Sequence, residues 1–138
     1  MAPSASPWLR LLVFAAVLCA AALTRAQRRL GAPEEASADD QDVRDALRFA
    51  MKEYNRGSND MYASRVSEVI SVKRQLVSGV KYIIVTGVGR TTCTKAVADV
   101  ENCAFHTAPG LAKHMTCTFE VYTVPWQNKI SLLRTSCN

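Results

Sequence analysis

Between Gly57 and Tyr62 the spacing of apolar residues changes from threes and fours to twos. A helix and a sheet bury their faces at those different periods, so the chain is expected to fold as one helix followed by strands. Upstream, Val43, Ala46, Leu47, Ala50, Met51 and Tyr54 form an apolar stripe, with Arg44, Asp45, Arg48, Lys52 and Glu53 on the other face. Asp39-Asp40-Gln41-Asp42 puts capping and dipole-favoured residues at the start of that helix, and Gly57 is expected to end it. Downstream, residues 66–77, 80–85, 116–124 and 130–133 are rich in Val, Ile, Thr and aromatics and read as strands. Cys117, Phe119 and Val121 alternate with Thr116, Thr118, Glu120 and Tyr122, the pattern of a sheet solvated on one face. Gly87 and Gly89 interrupt the second strand pattern and are expected to mark a bulge or sharp bend. The class is α+β, with the helix's apolar stripe packed on an antiparallel sheet.

The beginning of the chain belongs to neither pattern. Arg10 precedes the uninterrupted apolar run LLVFAAVLCAAAL, and the small-residue segment TRAQ follows it. The run is shorter than the roughly 20 residues of a spanning helix, and the order of basic, apolar and small residues reads as a secretory signal. Residues 1–26 are therefore expected to be removed after Ala26, with Ala20-x-Ala22 as an alternative cut, leaving one domain over residues 27–138. Its first segment, residues 27–38, mixes Gly, Pro, acids and small residues and is expected to be a flexible arm. The mature protein is then extracellular and free of the membrane.

Losing residues 1–26 takes away Arg10, Arg25 and no acid, which lowers the formal charge from +5 to +3. Basic residues are interspersed with acids rather than massed, so no nucleic-acid footprint is present. Cys19 leaves with the signal, and Cys93, Cys103, Cys117 and Cys137 remain. An even set in an oxidising compartment implies two disulfides, with three connectivities open. Sequential pairing, Cys93 with Cys103 and Cys117 with Cys137, closes two short loops and is favoured. Oxidised cysteines supply neither a nucleophile nor a metal ligand, and His106 and His114 lack metal-site spacing and read as loop residues. Gly-x-Ser-x-Gly is missing, and Gly87-Val88-Gly89 has no third glycine of a nucleotide loop. The residues thus point away from an enzyme, and no cofactor or metal is expected.

Two turns are odd. Between the first two strand patterns stands Gln75-Leu76-Val77-Ser78-Gly79, and only Ser78-Gly79 has the chemistry of a tight hairpin. Leu76 and Val77 would then be apolar residues at a solvent-facing bend, which marks an interaction surface more often than an accident. Further on, Val124-Pro125-Trp126-Gln127-Asn128 separates two strands, and Pro125 cannot continue a ladder. In a meander, alternate turns fall at the same end of the sheet. The two turns and the arm at Leu30-Gly31 are therefore expected to form one apolar wedge.

With these residues in order, the chain resembles a type-2 cystatin over nearly everything after the signal. The resemblance is carried by Leu30-Gly31, ALRFAMKEYN, SNDMY, KRQLVSGVKY, GRTTCTK, Cys103-x-Phe105-His106 and Val124-Pro125-Trp126. It implies the cystatin fold, in which one long helix packs on a curved antiparallel sheet, and reversible, tight inhibition of papain-like cysteine proteases such as cathepsins. Gln75, Leu76, Val77, Ser78 and Gly79 would supply the first loop, Pro125 and Trp126 the second, and Leu30-Gly31 the arm. Sequential cysteine pairing is also the pairing of the family. The resemblance further implies that Ser58-Asn59-Asp60, otherwise an ordinary turn after a helix, is a second site at which Asn59 engages legumain. Arg29 stands where an apolar residue is common in the arm, and Val77, β-branched in a bend, is expected to be strained; the chain is expected to be a monomer in which relief of that strain would favour domain-swapped dimers. The reading from another class is a basic host-defence or carrier protein on the same scaffold.

Overall fold

The computed structural model of the chain describes residues 6–27 and 31–138, leaving out the side chains of residues 20–27. It divides into two compact units, residues 1–32 and Pro33–Asn138. In the first, helix α1 spans Pro7–Gln27 and exposes Trp8, Leu12, Phe14 and Val17. Among the described residues, no helix is long and apolar enough to cross a membrane.

In the second unit the helical stripe becomes α2, Gln41–Gly57. Its Val43, Ala46, Ala50 and Met51 are buried, as the spacing of threes and fours requires. Gly57 closes the helix as its last residue, but not through a left-handed cap. Ser58 is the capping residue, with an extended backbone at φ −78° and ψ 144°.

A five-stranded antiparallel sheet lies against this helix, in the order β1 (Glu34–Glu35), β2 (Tyr62–Leu76), β3 (Val80–Thr94), β4 (His114–Val124) and β5 (Lys129–Cys137). Its inner face contributes Val72, Tyr82, Ile84, Val88, Cys117, Phe119 and Val121 to one core with α2. Phe119 is fully buried and meets Tyr54 of α2 edge to face, ring centroids 6.3 Å apart. The alternation of β4 is thus realised: Cys117, Phe119 and Val121 point inward and their neighbours do not.

Three expectations are corrected. The arm expected over residues 27–38 is ordered from Glu34, because Glu34 and Glu35 pair with Arg74 and Lys73 of β2 and the Ala36 amide donates to Val72 O at 3.0 Å. Gly87 and Gly89 do not break β3, which runs unbroken to Thr94. The bulge expected at Gly87 is present but is formed by the partner strand: β2 carries an extra residue between Val66 and Glu68, opposite Val88 and Gly87, while β3 carries its own extra residues between Arg90 and Thr94, opposite Ser64 and Tyr62. A Cβ on Gly87 would stand 2.5 Å from Ser67 Oγ, and one on Gly89 would stand 2.7 Å from the Phe105 ring, so both glycines make room for a neighbour. Finally, only His106 lies in a loop. His114 opens β4, paired with Gly89.

Disulfides join Cys93 to Cys103 and Cys117 to Cys137, with Cα atoms 6.0 and 4.1 Å apart. Both tie strand regions toward the end of the sheet remote from residues 77–79, since Cys93 is near the end of β3 and Cys117 near the start of β4.

Candidate functional site

The first hairpin closes at the pair Leu76–Val80 and leaves Val77, Ser78 and Gly79 as its turn. The Val77 amide donates to Gly79 O at 3.0 Å across it. Ser78 and Gly79 supply the unusual backbone angles, φ +47° and +147°. Val77 is not among the residues with positive φ, so the strain expected there falls one residue later, on Ser78. With the turn geometry met by Ser78 and Gly79, Leu76 and Val77 are left to solvent at 58% and 39% exposure.

The second turn is a single 3₁₀ turn over Pro125–Gln127, with proline in the first turn, where its missing amide costs nothing. Asn128 ends it in the left-handed region at φ +49° and donates its amide to Pro125 O at 3.2 Å. Trp126 is 69% exposed. Pairing of Val80 with Thr123, and of Val124 with Lys129, puts this turn and the first at the same end of the sheet.

Bonds between β4 and the first turn tie the two together. Tyr122 donates its hydroxyl to Ser78 O at 2.8 Å, and Thr123 Oγ1 lies 3.4 Å from Val80 O. Gly79 lies so close to β4 that a Cβ would stand 2.7 Å from Thr123 O and 2.8 Å from the Tyr122 hydroxyl. Period-two patterning marks Tyr122 only as a solvated-face residue; its hydrogen bond to residue 78 requires knowledge of the strand register.

Of the expected arm, Leu30 lies outside the described residues. Gly31 belongs to the first unit and has φ +90°, with open space where a Cβ would be. Within the second unit, β1 is antiparallel to β2 with Glu34 opposite Arg74, so the chain enters the sheet from the end that carries the first turn.

Ser58, Asn59 and Asp60 lie at the other end, between α2 and β2. Asn59 is exposed while its neighbours are bonded on both sides. Ser58 Oγ accepts the Asp60 amide at 3.0 Å, and Lys95 Nζ donates to Ser58 O. The Asp60 carboxylate accepts the Tyr62 amide on one oxygen at 3.0 Å and Arg90 Nε on the other at 2.7 Å, in an ion pair whose side chains are both 20% exposed. Burial opposes ionisation of Asp60, but the Tyr62 amide and Arg90 together outweigh it and hold the carboxyl below its ordinary value. Behind this loop, Asn55 of α2 donates to Ser64 O at 2.9 Å and accepts the Ser64 amide at 2.8 Å.

The surface so described offers apolar side chains on two short, mutually bonded turns, the make-up of a surface for binding another protein. A model of the cystatin domain matches residues 31–126. Cystatin-2 of Crotalus adamanteus is 60% identical over 110 residues, covering 80% of this chain and 81% of that protein. Cystatin-C of Mus musculus is 47% identical over 136 residues, covering 96% of this chain and 97% of its own. Among solved structures, dimeric human cystatin F superposes with a TM-score of 0.71 at 30% identity, over 79% of this chain and 87% of that one. The chain belongs to the cystatin family, as a type-2 cystatin, and is a cysteine protease inhibitor and not an enzyme.

Proposed function

We propose that the protein is a secreted, reversible, tight-binding inhibitor of papain-like cysteine proteases, the cathepsins among them, that acts by filling the active-site cleft. The observation that carries this reading is the exposure of Leu76, Val77 and Trp126 at one end of the sheet, on turns joined through Tyr122 and Gly79. Exposed apolar groups on preorganised turns lose little conformational entropy on docking, which leaves more of their burial to appear as affinity. Gln75 to Gly79 form the first edge of this wedge, Pro125 and Trp126 the second, and Leu30-Gly31 the arm, with Gly31 as its hinge. Such a wedge sits beside the catalytic thiol without laying a peptide bond across it, so it is not turned over. Residues 1–26 serve as the secretory signal in this reading, and the two disulfides fit the oxidising compartment it leads to.

A second, separate activity is inhibition of legumain through Ser58-Asn59-Asp60. It is favoured by the exposure of Asn59 on a loop fastened by Asp60, Arg90 and Lys95. The two sites are at opposite ends of β2, so a protease bound at one leaves the other open. The working form is the monomer. Straightening of the first turn into a domain-swapped dimer would relieve Ser78 of its left-handed angle and abolish the wedge while sparing Asn59.

Titration of papain with the disulfide-bonded protein, beside its Trp126→Ala variant, tests the reading. Stoichiometric inhibition is expected, weakened in the variant by about 2 kcal/mol or roughly 30-fold. A disulfide-bonded monomer that leaves papain fully active would refute it.

A further inference from the structure

Tyr122 is partly buried on β4, three residues before Pro125, yet its hydroxyl reaches sideways to the first turn and donates to Ser78 O at 2.8 Å. Its ring edge lies where a side chain on Gly79 would stand, 2.9 Å from that ideal Cβ, so ring and hydroxyl together cover the back of the turn. Ser78 meanwhile holds φ +47°, an angle that L-residues adopt at a cost. Within the turn itself, the Val77 amide to Gly79 O is the bond that keeps the three residues closed. A costly angle favours opening, and a hydrogen bond from the neighbouring strand opposes it.

We propose that Tyr122 is a positioning residue for inhibition: its hydroxyl latches the first turn in the closed conformation from the strand that leads into the turn carrying Trp126. The inference rests on the wedge reading above and deepens it, because it makes the two protease-facing turns a coupled unit. The latch acts before any protease arrives. A turn that is already closed binds without being ordered during the encounter, whereas an unlatched one populates open states that cannot bind, and its apparent affinity falls by the fraction still closed.

Tyr122→Phe removes the donor and keeps the ring against Gly79, so the fold is expected to stand, with a melting temperature lowered by only a few degrees. Three measurements on the disulfide-bonded protein decide the matter: amide hydrogen exchange at Val77, the dissociation constant for papain, and the rate of conversion to dimer on mild warming. Expected are faster exchange at Val77, a dissociation constant raised roughly 3- to 10-fold in line with a net hydrogen bond, and faster dimerisation. Unchanged exchange at Val77 would overturn the latch. Faster exchange with unaltered affinity for papain would overturn its role in inhibition. Should the parent protein fail to inhibit papain at all, the wedge reading is lost, and the exchange measurement still decides whether Tyr122 closes the turn.

Discussion

Ser78 and Gly79 both have positive φ, but only Gly79 has a second reason to lack a side chain. The atom its Cβ would meet at 2.7 Å is the backbone oxygen of Thr123, which cannot swing aside as a flexible side chain would. Gly79→Ala therefore forces the first turn away from β4, at a cost of about 1 to 3 kcal/mol. The expected outcome is a melting temperature lowered by several degrees together with at least a tenfold weaker hold on papain; an alanine variant that inhibits like the parent would show that the turn accommodates the clash. Gly79 was legible as a turn residue from its neighbours, since Ser-Gly between two β-branched runs has a stereochemical meaning of its own. Its closeness to β4 was not, because that depends on which strand lies beside it and in what register. Tyr122 was hidden for the same reason. The β-branched Val77 escapes the strain of the bend, because the turn puts its positive φ angles on Ser78 and Gly79.

Among the elements, α2 and the inward row of β4 followed directly from apolar spacing, which states which residues share a face. Strand length was harder to read. Gly87 and Gly89 looked like interruptions because glycine weakens a strand in isolation, but here they admit Ser67 and Phe105 and the ladder continues to Thr94. The short β1 carries only two glutamates, with no apolar period to betray it, and rests on its pairing with Lys73 and Arg74. Where α2 hands over to β2, the bond between Asp60 and Arg90 joins the first residues beyond the helix to β3. Because the Asp60 carboxyl titrates below its ordinary value of 3.8, its ionised form contributes stability that is fully present above that value and lost as the pH falls through the lowered one. Asp60→Asn is expected to cost about 1 to 2 kcal/mol at neutral pH, with the gap to the parent closing in strong acid. A gap in unfolding free energy that stays constant down to pH 2 would show that the charge of Asp60 contributes nothing. The same variant is expected to loosen the Asn59 loop and weaken the legumain inhibition proposed for it, leaving papain titration unaltered.

For the molecule as a whole, the arrangement of ends is the governing fact. Both apolar-tipped turns are at one end of β2–β5, while both disulfides are toward the other. Replacing Cys93 and Cys103 together by serine is expected to lower stability by about 3 kcal/mol through the unfolded chain, and the melting temperature by on the order of 10 °C. Affinity for papain at room temperature is expected to stay within about threefold, because the turns are braced by Tyr122 and Thr123 and not by sulfur; a large loss of affinity in the still-folded variant would contradict that division. The separation has a consequence for those who would redesign the molecule. Residues 76–79 and 125–127 are an exchangeable tip on a covalently secured handle. A new tip can be cut for a cleft of different shape provided residue 79 stays small and residue 122 keeps its hydroxyl, and none of the ties that hold the chain together has to be rewritten.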